Sequence, residues 1–309
     1  MHPMRLPLFS KNRKPLSIHT REAIDGYLMI LPSIIYFLVF IAGPMIGAFA
    51  LSFTQWDALR SPKWIGLGNF VKLAHDELFW KSLYNTAYFT VIAIPLHIAT
   101  ALGSALILNT KTKFIDIYRT LFYVPCIIAP VAIGLIWMWL LYPDFGLINL
   151  FLRTVGLQPL KWLFDPALSK PIMIALNTWQ FGVSMVIFLA ALQDVPVELY
   201  EAAEIDGATL KTKITHVTIP CISPVLFYVT ILQTINSFQV FTYAFVMTDG
   251  GPADSTLFSV LYIWRNAFEY FKMGYASALG VVLFGIIMAS TLLQFRLSKL
   301  WVHSEASNL

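Results

Sequence analysis

The amino-acid sequence predicts an all-α, polytopic membrane protein with about six transmembrane helices. Of its 309 residues 58% are apolar and only 12% are charged, about half the charged fraction of an ordinary soluble domain. The apolar residues also form long runs, and roughly 20 of them are enough to cross a hydrocarbon core about 30 Å thick. The runs cover Gly26 to Phe53, Tyr84 to Leu108, Thr120 to Tyr142, Ile172 to Leu192, Cys221 to Met247 and Tyr275 to Phe295.

The charged residues all lie in the tails and in the connections between these runs. No run contains Asp, Glu, Lys or Arg, as the cost of placing a charge at the middle of a bilayer requires. Buried helices of soluble proteins rarely stay uncharged beyond about 14 residues. Strands of membrane β-barrels alternate polar and apolar residues over about 10 positions. Both of these alternative architectures are therefore disfavoured.

The two ends of the chain are predicted to be short tails around one transmembrane domain. The first run is longer than the roughly 7 to 15 apolar residues of a cleaved signal, so we expect a retained helix. This interpretation assigns residues 1–25 to a basic N-terminal tail that contacts membrane lipid, 26–297 to the transmembrane domain and 298–309 to a C-terminal tail. A mild excess of Lys and Arg predicts that both termini are cytoplasmic. The net charge of +4 is spread over the loops and indicates no nucleic-acid partner.

The connection between the fourth and fifth runs, residues 194–220, has its own pattern. Pro196 suits the first turn of a helix, and Gly207 suits a left-handed C-terminal cap. Val195, Leu199, Ala202 and Ala203 recur at helical spacing along one face. The segment therefore predicts a short helix, a sharp turn and a second short helix at the membrane surface, with Pro220 marking where the next span can begin.

The same segment resembles the EAA loop of binding-protein-dependent ABC permeases. The resemblance rests on residue types and spacing that hold from Glu201 through Gly207 to Pro224. It implies that the loop forms cytoplasmic coupling helices, which dock into a groove on a separate ATPase subunit. The residues to which it assigns this coupling role are Glu201, Ala202, Ala203, Asp206, Gly207 and Ala208.

Other stretches resemble the carbohydrate-uptake branch of these permeases, on the maltose- and glycerol-phosphate-type side. They include Gly66 to Phe70, Tyr142-Pro143 with Gly146 to Asn149, and Thr248 to Pro252. The resemblance implies a type I ABC importer permease fold in the plasma membrane of a prokaryote. It also implies a heterodimer with a second permease, two ATP-binding subunits and an extracytoplasmic solute-binding protein.

Two polar stripes on neighbouring runs predict where a solute contacts the chain. Uncharged amides and hydroxyls both donate and accept hydrogen bonds, as sugar hydroxyls do, without the cost of a buried charge. The resemblance also implies solute contacts on these helices. The alternative is that the stripes only join helices to one another. The stripes comprise Asn177, Gln180 and Ser184 on the fourth run and Gln233, Asn236, Ser237 and Val240 on the fifth.

Other polar residues inside the runs receive structural interpretations. His97 is the only histidine within a run and has no carboxylate partner there, which favours a neutral, hydrogen-bonded imidazole over a proton relay. Gln239 lies off the main stripe and is expected to face the partner permease. Cys126 and Cys221 lack metal-ligand spacing, so we predict no metal site.

The energy source is expected to lie in another polypeptide. No Gly in the chain is followed by Lys, so a phosphate-binding P-loop is missing. We therefore expect no catalytic residue and no cofactor in this chain, with ATP and Mg²⁺ used by the partner ATPase subunits. The runs also lack the acidic and basic residues of proton-coupled carriers, although a sodium-coupled carrier can use backbone carbonyls at broken helices. An ATP-independent carrier of polar solutes therefore stays open as the alternative.

Overall fold

The structure is a computed structural model that describes residues 18–110 and 112–303. The regular secondary structure of this part of the chain is helical except for one two-stranded hairpin. It divides into two compact units, Met1–Ala50 and Leu51–Leu309. Residues 1–17 of the predicted N-terminal tail and residues 304–309 of the predicted C-terminal tail lie outside the described residues.

The first unit contains the first predicted span. A wide, π-helical turn interrupts it because Pro44 has no N–H to donate to the preceding turn. The N–H of Gly43 bonds instead to the carbonyl of Leu38, five residues back. The 28-residue segment Ile24–Leu51 is long and apolar enough to cross a membrane. The helical segments are α1 (Ile18–Tyr36), the π-helical turn (Phe37–Ala42) and α2 (Gly43–Leu51).

The second unit opens with a small hairpin and a short helix. Strand β1 (Thr54–Gln55) pairs antiparallel with β2 (Lys63–Trp64), and α3 (Gly68–Ala74) follows. The side chain of Asn69 joins the two, since its Nδ2 donates to the carbonyls of Ser52 and Thr54, each at 2.8 Å. This arrangement holds the loop against the start of the next helix.

Helix α4 (Glu77–Leu108) is the longest helix and the central element of the unit. Its 32 residues extend about 48 Å at 1.5 Å per residue, so its ends project beyond a bilayer core of about 30 Å. Asp76 caps its N-terminus by accepting hydrogen bonds from the N–H groups of Leu78 and Phe79. The helix therefore begins at Glu77, about two turns before the apolar run that starts at Tyr84.

The third and fourth predicted spans are each broken into two helices, where the apolar runs predict continuous ones. The first pair meets at 96° and the second at 43°. Pro130 explains the first break, because proline opens the new helix and keeps the residue before it extended. At the second break the N–H of Gln180 bonds to the carbonyl of Asn177, which tightens the last turn. The pairs are α5 (Ile115–Ile127) with α6 (Pro130–Leu140), and α8 (Pro166–Trp179) with α9 (Gly182–Gln193), with α7 (Leu147–Thr154) between them.

The second short helix predicted at the membrane surface is not separate, and this prediction is wrong. The helix that begins at Leu210 runs without a break through Pro220 to Phe238, over 29 residues. A π-helical turn makes this possible, because the widened turn accommodates the N–H that Pro220 lacks. The segments are α10 (Val197–Ile205), then α11 (Leu210–Lys213), the π-helical turn (Ile214–Thr218) and α12 (Ile219–Phe238).

The remaining elements complete the bundle. Among the described residues, four helices are long and apolar enough to span a membrane, or six if each bent pair forms one span. This number agrees with the prediction of about six. The remaining segments are a π-helical turn (Ala244–Thr248), α13 (Ser259–Trp264), another π-helical turn (Arg265–Glu269) and α14 (Met273–Ser298).

Two apolar clusters pack against the two halves of α4. The first contains Phe89, which meets Phe258 edge to face at a centroid distance of 5.3 Å. The second contains Met185 and Phe188 of α9, both fully buried. Between the two clusters α4 carries His97, so a polar group lies at the boundary of the two apolar cores.

Candidate functional site

A polar cavity of about 340 Å³ lies where α4, α8, α9 and α12 meet. The break between α5 and α6 supplies one wall. Of the described residues that line the cavity, none is Asp, Glu, Lys or Arg. The lining consists of His97, Cys126, Ile128, Pro130, Asn177, Gln180, Val183, Ser184, Ile187, Val229, Leu232, Gln233 and Asn236.

The cavity brings together most of the two predicted polar stripes. Asn177, Gln180 and Ser184 from the fourth span line it together with Gln233 and Asn236 from the fifth. The two stripes therefore face one another in space, although more than 45 residues of chain separate them.

Two members of the fifth-span stripe lie outside the cavity lining. The side chain of Ser237 is only 2% exposed, and Val240 packs against the first apolar cluster. Ser237 is buried because the helix rotates by about 100° per residue from the cavity-lining Asn236, whereas Val240 lies beyond the end of α12 at Phe238. Gln239, by contrast, is exposed, and its predicted contact with a partner permease stays a prediction.

A chain of hydrogen bonds crosses one wall of the cavity. Nε2 of Gln233 donates to Oγ of Ser184 at 3.2 Å. The same Oγ lies 3.0 Å from Nε2 of His97, and Nδ1 of His97 lies 3.3 Å from the carbonyl oxygen of Asn177. His97 is 3% exposed, so a buried imidazole connects α8 with α9 and α12. The sequence predicts a hydrogen-bonded histidine at this position, but it does not predict that His97 forms part of the cavity wall.

Other polar groups of the lining keep unused hydrogen-bonding capacity. The hydroxyl of Tyr243 donates to Oε1 of Gln180 at 2.5 Å, which leaves the amide N–H groups of Gln180 available. Oδ1 of Asn177 is buried without a hydrogen-bond partner among the described residues, and an unpaired buried acceptor in a native protein calls for an explanation. The cavity therefore presents donors and acceptors side by side, without a net charge.

The EAA-like segment folds as an exposed helix with a tight C-terminal cap. Gly207 adopts a φ of +76°, in the left-handed region. The N–H of Ala208 donates to the carbonyl oxygen of Ala203 at 2.8 Å, and the N–H of Gly207 donates to the carbonyl oxygen of Glu204 at 3.0 Å. The two hydrogen bonds form a Schellman motif. The predicted helix and its glycine cap are thus present as the spacing indicates.

The predicted coupling residues form a protruding surface. Glu201, Ala202, Asp206 and Gly207 are exposed, while Ala203 and Ala208 are half-buried. Three large apolar side chains flank them with much of their surface exposed, namely Val197 at 64%, Ile205 at 88% and Leu210 at 75%. Exposed apolar side chains grouped in this way are typical of an interaction surface.

Internal contacts hold this surface against the bundle. The hydroxyl groups of Tyr200 and Thr218 lie 2.9 Å apart, and Nζ of Lys213 lies 2.5 Å from Oε1 of Glu204. Of the four residues on the predicted apolar face of this segment, Val195 is buried in the second apolar cluster. Leu199 and Ala202 are exposed and Ala203 is half-buried. The contacts of Tyr200 and Glu204 connect α10 to the helical element that begins at Leu210.

The opposite end of α4 carries a second, basic cavity of about 440 Å³. It lies between the β1–β2 hairpin, α3 and the start of α14. Nζ of Lys72 lies 4.5 Å from the ring centroid of Tyr275. A hydrogen bond from the N–H of Arg60 is the main cause that lowers the pKa of Asp57 below its usual value. The cations that line the cavity are Arg60, Lys63, Lys72 and Lys272.

Asp76 joins three helices at this same end. Its Oδ2 accepts hydrogen bonds from the hydroxyls of Tyr262, at 2.6 Å, and Tyr275, at 2.5 Å. Burial alone raises the pKa of Asp76, but these bonds and those from two backbone N–H groups outweigh it and lower the pKa overall. The carboxylate therefore stays ionised while it connects α4 to α13 and α14.

Comparisons with known proteins agree with this arrangement. The family model described as "binding-protein-dependent transport system inner membrane component" matches residues 97–302. The probable ABC transporter permease protein YesP of Bacillus subtilis (strain 168) is 42% identical, over 93% of this chain and 94% of YesP. The lactose transport system permease protein LacF of Rhizobium radiobacter is 34% identical, over 88% of this chain and 93% of LacF.

A solved structure gives the same result for the fold. One chain of a bacterial alginate ABC transporter, in complex with an alginate pentasaccharide-bound periplasmic protein, matches with a TM-score of 0.82. Its sequence is 26% identical, and the match covers 91% of this chain and 96% of that chain. The predicted fold class, an all-α permease of the ABC importer type, is confirmed. The chain belongs to the family of binding-protein-dependent transport system inner membrane components, and it is a permease subunit of an ABC importer.

Proposed function

We propose that this chain forms part of the import path for a sugar or a related hydroxylated solute. The observation that carries the proposal is the uncharged cavity, in which amide donors and acceptors from two spans face each other. A sugar hydroxyl both donates and accepts, and side-chain amides match it without burying a charge. LacF is named for lactose transport, and the alginate transporter was solved with an alginate pentasaccharide on its binding protein, which supports a carbohydrate.

The assembly that we propose contains a second permease and two ATP-binding subunits. The second permease completes the solute path on the side of the cavity that this chain does not form. ATP and Mg²⁺ are used by the ATP-binding subunits, and this chain binds neither. The exposed surface of Glu201, Ala202, Asp206 and Gly207, with its apolar flank, provides the docking site for one of these subunits.

Coupling follows from the continuity of one helix. The segment Leu210–Phe238 is a single helical element, and Gln233 lies about 35 Å along it from Leu210 at 1.5 Å per residue. A displacement of α10 by a closing ATPase therefore moves the helix that carries Gln233 and Asn236. This motion opens the cavity toward the outside, and ATP hydrolysis returns it to the inward-facing state.

The membrane orientation in this proposal places α10 and both termini in the cytoplasm. Near the C-terminus, the N–H of His303 donates to Oγ of Ser223 at 2.8 Å, at the same end of the bundle as α10. The loaded binding protein then docks at the opposite end, on the loops that include Asp249 and Asp254. There Asp254 already pairs with Lys81 at 3.4 Å and Asp249 with Arg265 at 3.1 Å.

Uptake into proteoliposomes tests the proposal. The tagged chain is purified with the subunits that accompany it, reconstituted with its binding protein, and offered lactose, maltose, an alginate pentasaccharide or glycerol 3-phosphate. We expect ATP-dependent uptake of at least one of these solutes and none when an ion gradient replaces ATP. Uptake driven by an ion gradient without ATP, or purification of the chain without any ATPase subunit, contradicts the proposal.

A further inference from the structure

We infer that His97 is a positioning residue for the solute site, which sets the hydrogen-bonding polarity that Gln233 presents to the cavity. The inference rests on the proposed function, because it assumes that the cavity binds a solute. His97 itself has no role among the polar stripes that the sequence predicts. Its position in the wall, with two short contacts to other helices, is what points to this role.

The partner of Nδ1 determines the tautomer of His97. The carbonyl oxygen of Asn177, 3.3 Å from Nδ1, can only accept a hydrogen bond. Nδ1 must therefore carry a proton. In a neutral imidazole the other nitrogen, Nε2, is then an acceptor.

The tautomer in turn sets the direction of the next two hydrogen bonds. Because Nε2 of His97 accepts, the hydroxyl of Ser184, 3.0 Å away, must donate to it. With its only proton used, Oγ of Ser184 can only accept from Gln233, and the Nε2 amide group of Gln233 lies 3.2 Å from it. Every bond in this chain thus points the same way, from Gln233 through Ser184 and His97 to the backbone of Asn177.

The direction of these hydrogen bonds determines which group of Gln233 faces the cavity. With its amide nitrogen held by Ser184, Gln233 turns its carbonyl oxygen Oε1 away from that contact. This oxygen makes no hydrogen bond with the described residues, and Gln233 lines the cavity. Gln233 therefore offers an acceptor to the same cavity to which Gln180 offers its amide N–H groups, since the oxygen of Gln180 is occupied by Tyr243. One solute hydroxyl can then donate to Gln233 while another accepts from Gln180.

The first test reads the tautomer directly. The intact transporter with ¹⁵N-labelled histidine is placed in lipid nanodiscs, and its imidazole ¹⁵N shifts are recorded, with the His97→Gln spectrum identifying the His97 signals. We expect a neutral ring protonated at Nδ1, with the Nε2 signal shifted in Ser184→Ala. A ring protonated at Nε2, or at both nitrogens, overturns the inference.

The second test uses two variants that separate the two hydrogen bonds. In His97→Gln the amide reaches the place of Nε2 and can still accept from Ser184. In His97→Asn the amide occupies the place of Nδ1, keeps the bond to Asn177 and leaves Ser184 without its acceptor. We expect the KM for uptake to be about fivefold higher in His97→Asn than in His97→Gln, as the loss of one oriented hydrogen bond predicts, with kcat much less affected.

Thermal stability distinguishes positioning from a purely structural role. Each His97 variant loses one hydrogen bond between helices, His97→Gln the bond from α4 to α8 and His97→Asn the bond from α4 to α9. We therefore expect the two variants to melt at similar temperatures, so that a difference in KM reports the positioning of Gln233. Thr100→Val, one turn away on α4, is the control, since Thr100 bonds only to the carbonyl of Leu96 in its own helix. Equal KM values in the two His97 variants overturn the inference. If none of the four solutes is taken up, the proposed function fails, whereas the ¹⁵N spectrum still decides the role of His97.

Discussion

Two glycines of this permease are required for different physical reasons. At Gly207 an added Cβ meets no atom within 4 Å, but the φ of +76° disfavours any residue with a side chain. At Gly182 the backbone is helical, but an added Cβ would lie 2.5 Å from the carbonyl oxygen of Phe122 on α5. Gly182 therefore allows α9 to approach α5 closely, beside the cavity.

Gly182→Ala is expected to destabilise the folded permease by about 1–3 kcal/mol, as overpacking against a backbone atom does. The melting temperature in detergent, followed by tryptophan fluorescence, measures this effect. Gly280→Ala is the matched control, because an added Cβ at Gly280 meets nothing within 4 Å. A melting temperature as high in Gly182→Ala as in Gly280→Ala contradicts the close approach.

Gln180→Glu tests the uncharged character of the cavity. The substitution keeps the shape of the side chain, but it replaces the amide N–H groups with a carboxylate that has no cationic partner in the cavity lining. We expect the KM for solute uptake to rise by at least about tenfold, since unpaired charges and lost donors each cost more than about 1 kcal/mol. Gln193→Glu, at an exposed position at the end of α9, makes the same chemical change away from the cavity. Identical uptake in the two variants counts against solute binding at Gln180.

At the scale of single residues, the sequence predicts which polar residues line the cavity better than it predicts their hydrogen-bond partners. The stripe spacing identifies Asn177, Gln180, Ser184, Gln233 and Asn236, all of which line the cavity. The contact partners of His97 lie 80 and 87 residues away along the chain. Helical periodicity gives the face of each helix but not the register between helices, so the place of His97 could not be predicted.

At the scale of the elements, the apolar runs predict the number of spans but not their breaks. Pro130 is a signal for the bend between α5 and α6 that a hydropathy profile averages away. The bend at Gln180 has no proline, and the side chains that contact the backbone there, His97 of α4 and Cys126 of α5, lie far away in sequence. Conversely, Pro220 suggests a helix start, but the π-helical turn beside it keeps the helix continuous.

In the proposed function, this continuity makes the segment between α10 and the cavity a mechanical connection. The double variant Thr215→Gly/His216→Gly removes the side chains at two exposed positions of the π-helical turn. Each glycine lowers the stability of the helix by about 1 kcal/mol relative to alanine. We expect fewer solute molecules to be transported per ATP hydrolysed, with ATPase activity retained. Thr215→Ala/His216→Ala is the control, and an unchanged transport stoichiometry in the glycine variant argues against transmission through this helix.

Asp76 predicts a pH dependence of stability at the other end of α4. Its pKa is lower in the folded protein than in the unfolded chain, so its contribution is complete above the unfolded pKa and is lost as pH falls through the folded pKa. We expect the melting temperature of the wild type to drop below about pH 4. Asp76→Asn can still cap α4. Near neutral pH we expect it to have a lower melting temperature than the wild type, and on acidification we expect its melting temperature to fall less. Parallel pH profiles of the two proteins exclude this contribution.

At the scale of the whole molecule, the second unit carries three surfaces in order along α4. The exposed α10 and its glycine cap lie at one end, the basic cavity beside α3 lies at the other, and the polar cavity lies between them. The proposed function connects them in sequence: a binding protein docks at one end, the solute meets uncharged amides in the middle, and an ATPase pushes at the far end through the 29-residue helix that begins at Leu210.

The most direct test compares Gly207→Asp with Gly207→Asn in the reconstituted complex. Both side chains tolerate the left-handed conformation to a similar degree and have nearly the same shape, so the two variants differ only in a charge on the proposed ATPase contact. ATP-driven uptake and ATP hydrolysis are measured in the same vesicles. We predict that Gly207→Asp hydrolyses ATP without uptake while Gly207→Asn retains most of its uptake, and equal, coupled uptake in both variants would contradict the account.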